Sequence, residues 1–350
     1  MSSAPVTFSR TTTSLTTRGI SAVFHVRTMV TSLVVLAIGV LLGMVALGVG
    51  DYELSIGEVA ATFVGQGPAG AELVVLEWRL PRVLAALVIG AALGMSGAIF
   101  QSLTKNPLGS PDIIGFNTGA YTGALLVMIV FNASYYAVAF GAIVGGLATA
   151  LLVYVFAWRR GMHGFRLIIV GIAISAMLAS VNTWIIVTAE LEAAMAAAVW
   201  GAGSLDGISW GYTLPSAVAI AVFMILALVL SGKLRMLEMG DDAAAALGVN
   251  VERSRVLLVI VGVGLTAVCT AAVGPIAFVA LCAPQLMKRV ARTTSVALLP
   301  SAAMGATLLM ACDLLAQRAF APIQVPVGVI TVSLGGIYLI WLLVKEARKS

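Results

Sequence analysis

The sequence predicts an all-α polytopic membrane protein with about ten transmembrane helices, and three observations predict it. Of its 350 residues, 61% are hydrophobic and only 10% charged, whereas soluble domains run at about 45–50% and about 25%. The apolar residues come in continuous runs rather than in alternation, which argues against a barrel. The length suits the count, because ten runs of about 20 residues leave roughly 150 for loops and ends. The same composition excludes a soluble globular enzyme, a disordered chain and a nucleic-acid binder.

The runs fall at about 29–50, 83–103, 112–131, 135–157, 167–188, 212–231, 255–273, 276–291, 296–316 and 327–344. Gly274-Pro275 separates the seventh from the eighth, which is short. Residues 1–28 are expected to be a disordered cytoplasmic tail. They are rich in Ser and Thr and hold no acid, a pattern that a transit peptide shares. Residues 29–345 are expected to form one ten-helix transmembrane domain and 346–350 a short basic tail.

Charge sets the expected orientation. With both termini inside, all but three of the 20 basic residues lie inside; the exceptions are Arg79, Arg82 and Arg318. The positive-inside rule then places both ends in the cytoplasm. Two outside segments, 51–81 and 189–211, are long enough to hold structure, and the Ala-rich run before Trp200 reads as a short helix. Gly90-x3-Gly94, Gly115-x3-Gly119-x3-Gly123 and Gly141-x3-Gly145 read as close-packing helix faces.

Reactive chemistry is scarce. Cys269, Cys282 and Cys312 all lie in apolar runs without metal-ligand spacing. Gly232-Lys233 lacks the rest of a phosphate loop, and Gly262-Val-Gly264 lies within a span. The histidines, His25 and His163, sit in inside segments. Only Asp112, at a span edge, and Asp313, near the outer end of the ninth span, put acids in or near the bundle. An ion-coupled carrier usually needs acids deep in it. The energy for any transport is therefore expected from a separate ATPase.

Three stretches remain. Arg79 and Arg82 in Glu77-Trp-Arg-Leu-Pro-Arg82 share a face if helical. With Arg318 they are suited to bind carboxylates of a docking protein, and the alternative is ordinary interfacial snorkelling. Residues 101–112 read as an inside turn punctuated by Asn-Pro and Ser-Pro. Residues 237–249, within an inside segment of about 232–254, read as a short helix outside the bilayer. There Asp241 or Asp242 would cap, the alanines would propagate and Gly248 would stop. Such a helix suits a groove on a partner.

These residues carry a resemblance. Glu77-Trp-Arg-Leu-Pro-Arg82, Gly90-Ala-Ala-Leu-Gly-Met-Ser-Gly-Ala-Ile-Phe-Gln101, Asn106-Pro-Leu-Gly-Ser-Pro-Asp112, Trp200-Gly-Ala-Gly-Ser-Leu205, Leu237-Glu-Met-Gly-Asp-Asp242 and Pro326-Val-Gly-Val-Ile-Thr-Val-Ser-Leu-Gly-Gly-Ile-Tyr338 resemble the FecCD permeases of type II ABC importers. The likeness runs from about residue 29 to the end.

The resemblance implies a transport subunit rather than an enzyme, in a bacterial inner or plasma membrane. It implies a ferric siderophore as cargo, with an enterobactin-like catecholate favoured; another iron chelate, haem or cobalamin is the alternative, and an ion-coupled carrier a further one. It implies a sibling permease subunit as heterodimer partner, two ABC ATPases that use ATP, an extracytoplasmic siderophore-binding protein and no cofactor on this chain. By the same resemblance Arg79, Arg82 and Arg318 meet the binding protein. Glu238, Gly240, Asp241, Asp242, Leu247 and Gly248 seat in the ATPase. Asn182, Trp200 and Ser204 belong to the path and outer gate, and Gly161, His163 and Gly164 to the inner gate. The chain departs from the family at Pro284-Gln285, where Pro-His is usual.

Overall fold

A computed structural model describes residues 12–17, 20–131, 135–157, 164–293, 297–321 and 323–347. Its first element departs from the disordered tail expected over 1–28. Thr12–Thr17 (β1) and Ile20–His25 (β2) pair antiparallel, with Thr17 opposite Ile20. Threonine, isoleucine and valine are β-branched and favour extended backbone.

Every other described element is helical. In order come α1 (Val26–Gly48), α2 (Ile56–Phe63), α3 (Leu80–Thr104), α4 (Phe116–Leu125), α5 (Tyr135–Ala157), α6 (Gly164–Thr188) and α7 (Leu191–Gly201). They are followed by α8 (Trp210–Glu238), α9 (Asp241–Ala246), α10 (Val251–Val273), α11 (Val279–Ala291), α12 (Leu298–Arg318) and α13 (Val327–Ala347). Wider π-helical turns lead into α3 over Leu73–Arg79 and extend α4 over Leu126–Val130. Each of the ten expected runs coincides with one helix. Seven of the described helices are long and apolar enough to cross a membrane alone.

The boundaries follow local chemistry. Pro81 stands where the π-helical turn joins α3 and cannot donate to the preceding turn, and there the Leu76 carbonyl takes the Trp210 indole N–H at 2.8 Å. Lys105 leaves α3 in the left-handed region ahead of Asn106-Pro107. The Asn250 side chain accepts the Arg253 N–H at 3.0 Å and starts α10. Gly274, at φ +75°, ends α10 before Pro275.

α3 threads the centre and α12 lies against it. A Cβ on Gly90 or Gly94 would run into the backbone carbonyls of Gly305 or Ser301. The expected packing face is therefore real, and it lies inside the bundle. α4 and α5 meet in the same way: a Cβ on Gly123 would strike the Gly141 carbonyl, and one on Gly145 the Gly119 carbonyl.

Several boundaries differ from expectation. The eighth run starts later, because Gly274 to Phe278 is unwound and α11 has only 13 residues, about 20 Å. The third run also starts later; Asp112 stands in a turn before α4 instead of at a helix edge. The polar segment 232–254 is largely helical, since α8 continues through Glu238. α13 likewise runs to Ala347, into the tail expected from 346.

Candidate functional site

Unwound backbone meets at one place in the bundle. Gly274 to Phe278, the turn after α7 and the start of α13 border a cavity of about 650 Å³. Ser204 N–H donates to the Val273 carbonyl at 2.9 Å, and Gly328 N–H to the Gly203 carbonyl at 3.0 Å. Irregular backbone at membrane depth persists only where protein or a water-filled cavity satisfies it.

Asp112 is the charged residue among those lining this cavity. Its Oδ1 accepts from Asn117 Nδ2 at 3.0 Å and its Oδ2 from the Phe278 N–H at 2.9 Å. α4 and α11 both begin beside it, and helix N-termini favour negative charge. Asn117 also links to Thr270, whose hydroxyl donates to Asn117 Oδ1 at 3.3 Å. Thus Asp112 ties the α4 start to the broken backbone rather than standing free.

Asn182 of α6 also lines the cavity, and its buried Oδ1 has no hydrogen-bond partner. Leaving such an acceptor unmet costs roughly 1–3 kcal/mol. Of the residues assigned by sequence to the path, Asn182 alone reaches the cavity wall. Trp200 stacks on Tyr121 behind it, centroids 5.9 Å apart and rings 15° from parallel. Tyr121 does line the cavity and donates to the Ala197 carbonyl at 3.0 Å. Ser204 stays in its turn, its Oγ accepting the Asp206 N–H at 3.0 Å. Gly164 begins α6; Gly161 and His163 lie outside the described residues.

The three outer arginines do different things. Arg82 is only 13% exposed at its side chain and pairs with Asp313, which is fully buried, at 3.0 Å. Nε adds contacts to both Asp313 oxygens at 3.2 and 3.1 Å. Nη1 donates to Asp206 Oδ1 at 3.2 Å and to the Gln324 side-chain Oε1 at 3.1 Å. Gln317 also donates to Asp313, at 2.8 Å. Arg82 is therefore an internal cross-link whose donors are already engaged within this chain. The buried acid holds it. Arg79 donates to the carbonyls of Leu47 at 2.8 Å and Tyr52 at 2.7 Å, fixing the end of α1. Arg318, half-buried at the end of α12, forms no ion pair among the described residues.

At the opposite end of α8 the short helix α9 stands out. Gly240 precedes it at φ +121°, so Asp241 and Asp242 occupy its first turn instead of capping it. Gly248, at φ +82°, stops it as expected. The Gly248 N–H bonds the Ala245 carbonyl and the Val249 N–H the Ala244 carbonyl, at 2.9 and 3.0 Å, a Schellman closure. Met239 and Leu247 are 69% and 60% exposed on either side. Asp241 pairs at 2.7 Å with Arg255, whose side chain is 7% exposed. Glu238 accepts the Ser102 hydroxyl, tying α8 to the end of α3. Gln285, the family departure, donates to Gln101 Oε1 at 2.6 Å and so faces α3, away from the cavity.

Sequence reasoning missed Tyr121, Asn117, Asp206 and Gln324 as parts of these sites. A lone acid in an apolar span was the available signal for Asp313.

Comparison with known proteins agrees with this architecture. The model of the FecCD transport family matches residues 33–345. The chain is 53% identical over 323 residues to the ferric enterobactin transport system permease protein FepG of Escherichia coli (strain K12), covering 92% of this chain and 98% of that one. It is 34% identical to the iron(3+)-hydroxamate import system permease protein FhuG of Bacillus subtilis (strain 168), covering 89% and 97%. A solved metal-chelate type ABC transporter in an inward-facing conformation superposes with a TM-score of 0.79 at 28% identity, covering 90% of this chain and 98% of that one. The match to the family model, the relatives and the helical bundle agree: this multi-pass transport permease belongs to the FecCD transport family.

Proposed function

We propose that this chain is the membrane subunit of an ATP-driven importer of a ferric siderophore, with an enterobactin-like catecholate as the favoured cargo. The observation that carries the reading is the 53% identity to a ferric enterobactin permease over nearly the full length of both chains. The 34% identity to a hydroxamate permease supports the broader class and is the reason catecholate needs its own test.

In this reading both termini are cytoplasmic and the chain pairs with a sibling permease to complete a path. The cavity beside Asp112 and Asn182 is this chain's half of that path. Arg318, and Arg79 through its remaining donors, receive acidic side chains of an extracytoplasmic siderophore-binding protein. Arg82 holds the receiving surface to the turn after α7. α9, with Met239 and Leu247 on its flanks, seats in one of two ATPase subunits and transmits their closure along α8. Cargo selection is shared: the binding protein screens first, and the polar cavity wall accepts what is released.

The test is uptake of labelled ferric enterobactin, a ferric hydroxamate and ferric citrate in cells lacking this chain, each with and without ATP depletion. Loss of ATP-dependent enterobactin uptake alone is the expected result. Loss of a different chelate reassigns the cargo. Uptake that survives ATP depletion but collapses with an uncoupler would overturn the ATP-driven reading.

A further inference from the structure

A larger cavity, about 1300 Å³, opens on the flank of the bundle between α1 and α8. α3 and α12 form its floor. α1 packs chiefly on α12, and α8 on α10 and α3, so the two wall helices leave a groove between them.

The groove has an apolar and a polar end. On α8 the lining passes from Ala217, Ile220 and Met224 through Leu228 to Ser231 and Arg235, a three- and four-residue spacing that keeps one face. On α1, Leu33 and Leu36 lie at the apolar part, and Thr28 and Ser32 at the polar end. From Ala217 to Ser231 the face runs about 21 Å, which exceeds half of a roughly 30 Å hydrocarbon core. An amphipathic groove of one-leaflet depth, open toward the membrane, matches an amphipathic lipid.

The polar end narrows the class of lipid. Arg235 is exposed and forms no ion pair among the described residues. Glu238, one turn on, lines the same end and among the described residues takes only the Ser102 hydroxyl. A carboxylate has further acceptor sites. The two side chains are three residues apart and so neighbours on the helix surface. A cation beside an anion suits a zwitterionic headgroup better than an anionic one. Thr28 Oγ1, also at this end, is buried without a partner.

We propose that this groove seats one phosphatidylethanolamine in the leaflet on the α9 side. One acyl chain lies along the apolar face of α8. The phosphate meets Arg235 and the ammonium meets Glu238. Because Glu238 also bonds the end of α3 and precedes α9, the lipid borders the segment that moves if α9 couples to an ATPase.

The experiment is native mass spectrometry of the purified transporter complex after exchange into mixed micelles of phosphatidylethanolamine and phosphatidylglycerol. One retained phosphatidylethanolamine per copy of this chain is expected, with a preference of at least about fivefold over phosphatidylglycerol, near 1 kcal/mol. Arg235→Gln should abolish retention of both lipids, and Glu238→Gln should erase the preference. Ala221→Trp, an exposed groove position, should expel lipid while leaving both headgroup residues intact. Equal retention of the two lipids by the native complex would overturn the assignment. So would retention undiminished by Ala221→Trp, or cross-linking of a Leu228→Cys variant to a partner subunit in place of lipid.

Discussion

The outer arginine cluster and α9 stand at opposite ends of the bundle and are built in opposite ways. Arg82 is held by partners from three distant parts of the chain: Asp206, Asp313 and Gln324. α9 is held mainly by its own neighbours, through Gly240, Gly248 and the alanines between them. The first is a long-range polar node with a fully buried acid. The second is a local motif that leaves its apolar flanks in solvent. Removing a partner from the node exposes the stability of the fold; opening the Gly248 closure of α9 exposes chiefly the function of a protrusion.

The largest effect should come from the node. Asp313→Ala leaves the Arg82 guanidinium without its buried counter-ion, and we expect a loss of about 3 kcal/mol, read as a lower unfolding temperature of the purified complex. Replacing both, Arg82→Met with Asp313→Leu, should restore most of it, because no unpaired charge remains. If the double variant is no better than the single one, the node is not an ion pair in the energetic sense.

The next effect separates the arginines. Arg318→Ala removes a side chain with no ion pair among the described residues, so stability should hold. The apparent KM for uptake from the loaded binding protein should rise by roughly tenfold or more, as expected for a lost charge-assisted contact of about 1.5–3 kcal/mol. Arg82→Ala should lower both stability and uptake. Identical behaviour of the two variants would erase the distinction drawn between them.

A smaller stability change with a larger functional one is expected in α9. Gly248→Ala forces a Cβ into the left-handed region at about 1–2 kcal/mol, and that cost is confined to the closure of α9. The unfolding temperature should barely move, while ATP hydrolysis should proceed with little uptake. Normal uptake in this variant would remove α9 from the coupling path.

The smallest effect tests another local motif. Ser55 and Glu58 form a reciprocal cap at α2. The Ser55 hydroxyl, and then its backbone N–H, hold the exposed Glu58 carboxyl below its ordinary pKa. With the folded value depressed, the contribution is present above the unfolded value of about 4.3 and lost as pH falls through the folded one. Hydrogen exchange of the α2 amides, referenced to Ser55→Ala at each pH, should show protection near neutrality that disappears in acid.

The same contrast explains what the sequence made legible. The ten apolar runs, α9 and the Gly248 stop are local patterns, and each was readable. Gly274-Pro275 was readable as a break, yet its role as a cavity wall depends on α4 and α6, which no local pattern brings together. Arg82 looked free because Asp313 lies 231 residues away. Asn182 was reachable through family resemblance; Tyr121, which lines the same cavity, carried no signal apart from the fold. The tail hairpin was hidden because a Ser/Thr-rich composition suits both disorder and extended pairing.

The glycine contacts between α3 and α12, and between α4 and α5, carry a mechanical consequence. Where backbone lies on backbone there are no side-chain rotamers to exchange, so neither pair has a soft coordinate along which to slide. Each pair acts as a double beam, stiff in itself. The unwound stretches are tied in the same way: a Cβ on Gly274, Gly203 or Gly328 would strike the carbonyls of Trp200, Pro275 or Ala202, so the cavity wall that they form is held by backbone contact as well.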